Sequence, residues 1–119
     1  MQENYRAAVY ALVRLIPAGT VLSYGDIAEI LSEWPQFRGG PRQVAKIMST
    51  SDGQLPWWRV VRSNGTLPAD LAALAHPSWI SEQTPVRETG VGEAVVRIAA
   101  ARWQPSDEDF DAIEQAVTF

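Results

Sequence analysis

Few residues of this chain can do covalent chemistry. Its 119 residues include no cysteine and one histidine, His76. That closes disulfides, thiolate metal sites and cysteine nucleophiles, and it leaves no ordinary zinc cluster. No Ser–His pair and no pair of carboxylates recurs at a suggestive place, so a hydrolase acting through another nucleophile is the weakest reading. No cofactor is expected. What remains is the chemistry of recognition. Between residues 36 and 65, Arg38, Arg42, Lys46, Arg59 and Arg62 stand against Asp52 alone, a local charge of +4, whereas residues 1–35 carry −2, residues 66–119 carry −6, and the whole chain −4. Contacts to DNA phosphates supply sequence-independent affinity that falls with salt. A basic segment inside an acidic chain therefore predicts weak, salt-sensitive DNA binding that needs a second, specific contact.

The elements that would position these residues can be read from periodicity and capping. Tyr5, Val9, Leu12, Val13 and Ile16 recur at helical spacing within residues 3–16, and Pro17-Ala18-Gly19 ends that helix. Ser23-Tyr24-Gly25-Asp26 has the form of a capping box opening a short helix through Leu31. After a turn over residues 36–40, Pro41 suits the first position of another helix, because its missing N–H would be unpaired there. In that helix, residues 41–49, Val44, Ile47 and Met48 face inward while Arg42, Gln43 and Lys46 face outward. Two short helices joined by a turn, the second basic outside, suggest a helix-turn-helix.

A strand is expected from Trp57 to Arg62, with an Asn-Gly turn at Ser63-Asn64-Gly65 and a return through Thr66-Leu67. Further along, Pro68 to Leu74 and Ser78 to Gln83 read as separate short helices, and Glu93 to Arg102 fits helix or strand. Ser106 caps an acid-rich first turn of a last helix carrying Phe110, Ile113 and Val117 on one face. With 46% hydrophobic residues and no apolar run near membrane-spanning length, a soluble globular domain is expected. The acidic, polar opening Met-Gln-Glu-Asn-Tyr is unlike a signal peptide, which points to the cytoplasm.

The stretch Pro56-Trp57-Trp58-Arg59-Val60-Val61 resembles the active-site strand of the O6-alkylguanine-DNA alkyltransferases, Pro-Cys-His-Arg-Val, with Trp57 at the position of the nucleophile. It is more similar still to the alkyltransferase-like proteins, which read Pro-Trp-His-Arg-Val; here the His is also replaced, by Trp58. The resemblance runs in order from Val21 to Gly65: Tyr24 opens the first helix of the helix-turn-helix, Arg42 sits on the second, and Ser63 and Gly65 follow the strand. Residues 84–90 and the Arg102-Trp103 pair look like the family's closing segment. The departures are the lost His, a few extra residues between Trp34 and Gly40, Ser51 or Asp52 where the family commonly has a hinge Asn, and a shorter loop before Trp57.

The resemblance implies a mainly α fold with a small β-hairpin, a winged helix-turn-helix as in the C-terminal domain of DNA alkyltransferases. It would span residues 1–105, with 106–119 an acidic C-terminal helix packed on or extending from it. It also implies a sensor that flips O6-alkylguanine out of double-stranded DNA and binds it without alkyl transfer, since the thiolate is the group that accepts the alkyl carbon. The implied partners are DNA carrying that lesion and nucleotide excision repair proteins, with no membrane and the chain acting as a monomer. Tyr24, Arg42, Gln43, Ala45 and Lys46 would contact DNA, Arg42 filling the vacated stack and Ala45 permitting close approach in the minor groove. Tyr24, Pro56, Trp57, Trp58, Val60 and Ser63 would form the lesion pocket.

Each residue also has a plainer reading. Tyr24 alone would be a packed tyrosine and Arg42 a solvated charge, while neighbouring tryptophans on a strand face opposite sides, putting one in the core. Arg59 could tie the strand to a carboxylate or to backbone carbonyls, and His76 reads as a loop residue without chemistry. The alternative function is a generic winged-helix module binding DNA or protein, such as a transcriptional regulator.

Overall fold

The computed structural model describes residues 2–51, 53–91 and 93–118; Asp52, one member of the charge count above, lies outside them. Helix α1 (Gln2–Leu15) buries Tyr5, Val9, Leu12 and Val13 along one face, as their spacing requires. Helix α2 (Tyr24–Leu31) opens on the capping box read from sequence: the Asp26 N–H donates to Ser23 Oγ at 3.0 Å, and the Ser23 N–H donates to Asp26 Oδ2 at 2.9 Å. Helix α3 (Pro41–Ser49) has Pro41 in its first turn, and Val44, Ile47 and Met48 bury against α2 to complete the helix-turn-helix. The connection between the helices is tied down by buried Phe37 and half-buried Trp34. Gly39 lies so close to the Tyr5 ring that any side chain there would collide with it.

The fold is mainly helical with a small antiparallel hairpin, but that hairpin is not where the sequence pointed. Trp57–Arg59 form a single 3-10 turn, and only Val60–Val61 are strand (β2), paired in parallel with β1 (Leu22–Ser23). The reason is local. Pro56 has no N–H for a ladder, the Trp57 N–H bonds back to the Leu55 carbonyl, and the Arg59 N–H bonds back to that of Pro56. The Asn-Gly turn does form, with Gly65 at φ +84° and the Arg62 N–H on the Thr66 carbonyl at 3.0 Å. Its return runs into Leu67, which is buried, and Pro68, which starts helix α4. A side chain at Gly65 would strike the Val96 carbonyl.

The hairpin proper is β3 (Val86–Gly90) with β4 (Glu93–Val96), carrying a bulge between Glu88 and Gly90. Helix α4 (Ala69–Ser81) is continuous through Pro77, where the sequence predicts two helices. Ala75 and fully buried Trp79, on either side of that proline, anchor both halves in one apolar cluster, which offsets the missing N–H. His76 consequently lies on a helix, with Nε2 3.2 Å from Glu88 Oε2, and not in a loop. Residues 93–102 take both of the forms open to them, strand β4 and then helix α5 (Ile98–Ala101).

Helix α6 (Asp107–Val117) starts at the expected Ser106 cap and packs Ile113 and Val117 into the same cluster as α1. A second cluster gathers Val61, Leu67, Ala75, Trp79 and Val96. Trp57 packs against both.

Candidate DNA-reading site

Where α3, the 3-10 turn and the start of α4 converge, they leave a cavity of about 420 Å³. Tyr24, Trp57 and Val60 line it, as the sequence led us to expect. Tyr24 is the first residue of α2, set there by the Ser23 cap, and Val60 is fixed by its pairing with Leu22. Burial raises the Tyr24 hydroxyl above its ordinary pKa, against the opposing charge of Arg62, so it stays protonated and can both donate and accept hydrogen bonds.

Pro56, Trp58 and Ser63 do not line the cavity. The two tryptophans meet edge to face, with ring centroids 5.9 Å apart and planes at 82°, but only Trp57 presents to the cavity. Trp58 turns to donate its indole N–H to Glu82 Oε2 at 2.9 Å. A 3-10 turn, unlike a strand, need not send adjacent side chains to opposite faces, and both rings are half-buried. Ser63 sits in the exposed turn that follows. Residues missed from sequence supply the rest of the wall: Met48 and Ser49 from the end of α3, Ser51 and Gly53 from the loop, Arg62, and Leu67, Pro68 and Leu71 around the start of α4. The inward spacing of Met48 is a signal for one of them. Nothing local marks the others, because the turn at Gly65 and the packing of α4 bring them in.

Arg59 takes the structural role. Its Nε and Nη2 fork onto Glu82 at 3.0 and 2.6 Å, and Nη1 donates to the Ile16 carbonyl at 2.8 Å. Glu82 also accepts from the Gly19 N–H and from Trp58, so four donors converge on one carboxylate. Burial disfavours its charge, but the hydrogen bonds from Arg59, Trp58 and Gly19 and the guanidinium charge prevail, and its pKa lies below the ordinary value. Trp79 braces the same turn by donating to the Trp58 carbonyl at 2.7 Å.

On the outer face of α3, Arg42, Gln43 and Lys46 are exposed, and Ala45 is half-buried and lines the cavity. Gln43 also caps its own helix, its Oε1 accepting from the Gly40 N–H at 3.1 Å. Arg6, which sequence reasoning passed over, reaches from α1 to Thr50 Oγ1 at the end of α3, at 3.0 Å, and extends the basic face. Among the described residues only three ion pairs form, Arg59–Glu82, His76–Glu88 and Arg102–Asp26. Arg38, Arg42, Lys46 and Arg62 thus keep their charge uncompensated by a described carboxylate. No group of His, Asp and Glu among the described residues could hold a metal ion.

Comparison with known proteins places this geometry. The family described as 6-O-methylguanine DNA methyltransferase, DNA binding domain, matches residues 4–83. A DNA base-flipping protein of Vibrio parahaemolyticus is 26% identical over 105 residues, covering 87% of this chain and 99% of that protein. Alkyltransferase-like protein 1 of Schizosaccharomyces pombe is 28% identical over 109 residues, 87% and 97% of the respective chains. Among solved structures, S. pombe Atl1 in complex with damaged DNA containing O6-carboxymethylguanine superposes with a TM-score of 0.69 at 28% identity, covering 88% of this chain and 98% of that one.

Proposed function

We propose that this chain, which belongs to the family of the 6-O-methylguanine DNA methyltransferase DNA-binding domain, is a nonenzymatic sensor that binds O6-alkylguanine in a flipped-out state. The observation that carries the proposal is the indole of Trp57, at the place of the family's nucleophile, forming one wall of a cavity behind the second helix of a helix-turn-helix. Its volume, about 420 Å³, lies in the range of pockets that enclose small ligands. A carbon acceptor must be a thiolate or a comparable nucleophile, and an indole is neither. The Glu82 carboxylate, bonded to neighbouring Trp58 and Arg59, is occupied by four donors and is no candidate base.

In this reading α3 enters the minor groove, Ala45 lets the backbone come near, and Arg42 occupies the gap left by the rotated nucleotide. Rotation costs a few kcal/mol, less where the lesion has already weakened pairing, and the difference favours damaged over intact guanine. Tyr24 is held at the cavity to meet the base edge or the adjoining phosphate. One chain supplies both the helix and the cavity, so a monomer suffices. A reader that cannot remove the lesion must hand it on, and nucleotide excision repair is the pathway suited to bulky or unrepaired bases.

The test compares duplexes that differ only in guanine or O6-methylguanine. We expect tighter binding to the modified duplex, no mass gain on the protein after incubation, and a preference reduced about tenfold, or 1.4 kcal/mol, by Arg42→Ala. Equal affinity for the two duplexes would favour a generic winged-helix module instead.

A further inference from the structure

The cavity is lined largely by apolar groups, among them Met48, Trp57 and Leu67, yet one cation borders it. Arg62 is the single charged residue among its described lining. Its backbone is held on both sides: the Arg62 N–H donates to the Thr66 carbonyl at 3.0 Å, and its own carbonyl accepts from the Gly65 N–H at 2.8 Å. Its guanidinium is much less committed. Nη1 lies 3.4 Å from Thr66 Oγ1, longer than an ordinary N–H···O bond, and no described carboxylate pairs with it. The Arg62 charge also reaches the Tyr24 hydroxyl on the same cavity. An exposed arginine of this kind keeps its hydration until a ligand displaces it, and it offers a fork of donors matched to a carboxylate.

We propose that Arg62 reads the charge of the O6 substituent, favouring adducts that end in a carboxylate over neutral adducts of the same size. This rests on the base-reading proposed above and adds a substrate class to it. An alkyl group alone is satisfied by Trp57, Met48 and Leu67. A carboxyalkyl group places an anion where only Arg62 supplies a full positive charge. Met48 and Trp57 then exclude water around the pair, which strengthens the attraction.

The experiment uses the full chain and four duplexes, carrying guanine, O6-methylguanine, O6-carboxymethylguanine or O6-carbamoylmethylguanine; the last two match in size and differ in charge. The carboxymethyl duplex should bind about tenfold more tightly than the carbamoylmethyl one, the scale of a hydrogen bond to a charged group. Arg62→Gln should abolish that ratio and Arg62→Lys should retain part of it. Equal binding of the two size-matched adducts overturns the role of Arg62, as does a ratio that survives Arg62→Gln. A uniform loss on all four duplexes would make Arg62 a backbone-phosphate contact and overturn it too. If O6-methylguanine gains nothing over guanine, the base-reading fails first.

Discussion

Glu82 is the residue on which the site's geometry converges. It joins Gly19, Trp58 and Arg59, and Arg59 extends the link to Ile16, so three separate stretches of chain meet at one carboxylate. Both partners of the ion pair are mostly buried, with side-chain exposures of 17% and 14%, and breaking such a pair leaves a charge without its counterpart. Glu82→Gln should lower stability at neutral pH by about 3 kcal/mol, read as a lower urea midpoint with unchanged slope. The pH dependence has a definite sign. Because the folded pKa of Glu82 is depressed, its contribution is complete above the ordinary value of about 4.3 and is lost as pH falls through the folded value. The gap between wild type and Glu82→Gln should therefore narrow in acid; a gap unchanged at about pH 3 would contradict this account.

At the scale of elements, α3 has two faces with different duties. Its inner face, Val44, Ile47 and Met48, packs on α2, and its outer face carries Arg42 and Lys46 into solvent. Lys46 makes no ion pair with a described residue and lies beside Arg6 and Gln43. Lys46→Ala should weaken binding to damaged and undamaged duplexes by the same factor and reduce the slope of log K against log salt by about one, leaving their ratio unchanged. Elements with caps and a clear period were legible from sequence: α1, α2, α3 and α6 begin or end within a few residues of their signals. The others carry misleading or no signals. Pro77 reads as a break but is overridden by Ala75 and Trp79 packing on both sides. The strand β3 has no buried residue, so it shows no alternation to detect. A three-residue turn at Trp57–Arg59 is too short to have a period, and the Trp-Trp-Arg-Val-Val sequence imitates a strand. The site divides the same way. Tyr24, Trp57 and Val60 belong to an ordered motif, whereas Leu67 and Leu71 join them only after the chain has turned at Gly65.

The molecule as a whole has two apolar clusters, one around α1, α2, α3 and α6 and the other around α4, β4 and α5. Trp57 packs on both while also lining the cavity. Trp57→Ala should cost about 3 kcal/mol of stability and should weaken binding of the modified duplex more than that of the intact one, since an aromatic face is worth about 1–3 kcal/mol per stacked base. Thermal melting and duplex titration together check both halves of this prediction; a variant that melts normally would show that the clusters do not depend on the indole.

That double membership constrains how the chain can change. Any small replacement at position 57, a reactive one included, opens a hole at the seam where the halves of the molecule meet. A small reactive residue at this spot would come with a weaker fold unless the seam were refilled from elsewhere. The ring that walls the cavity is also part of what joins the two clusters.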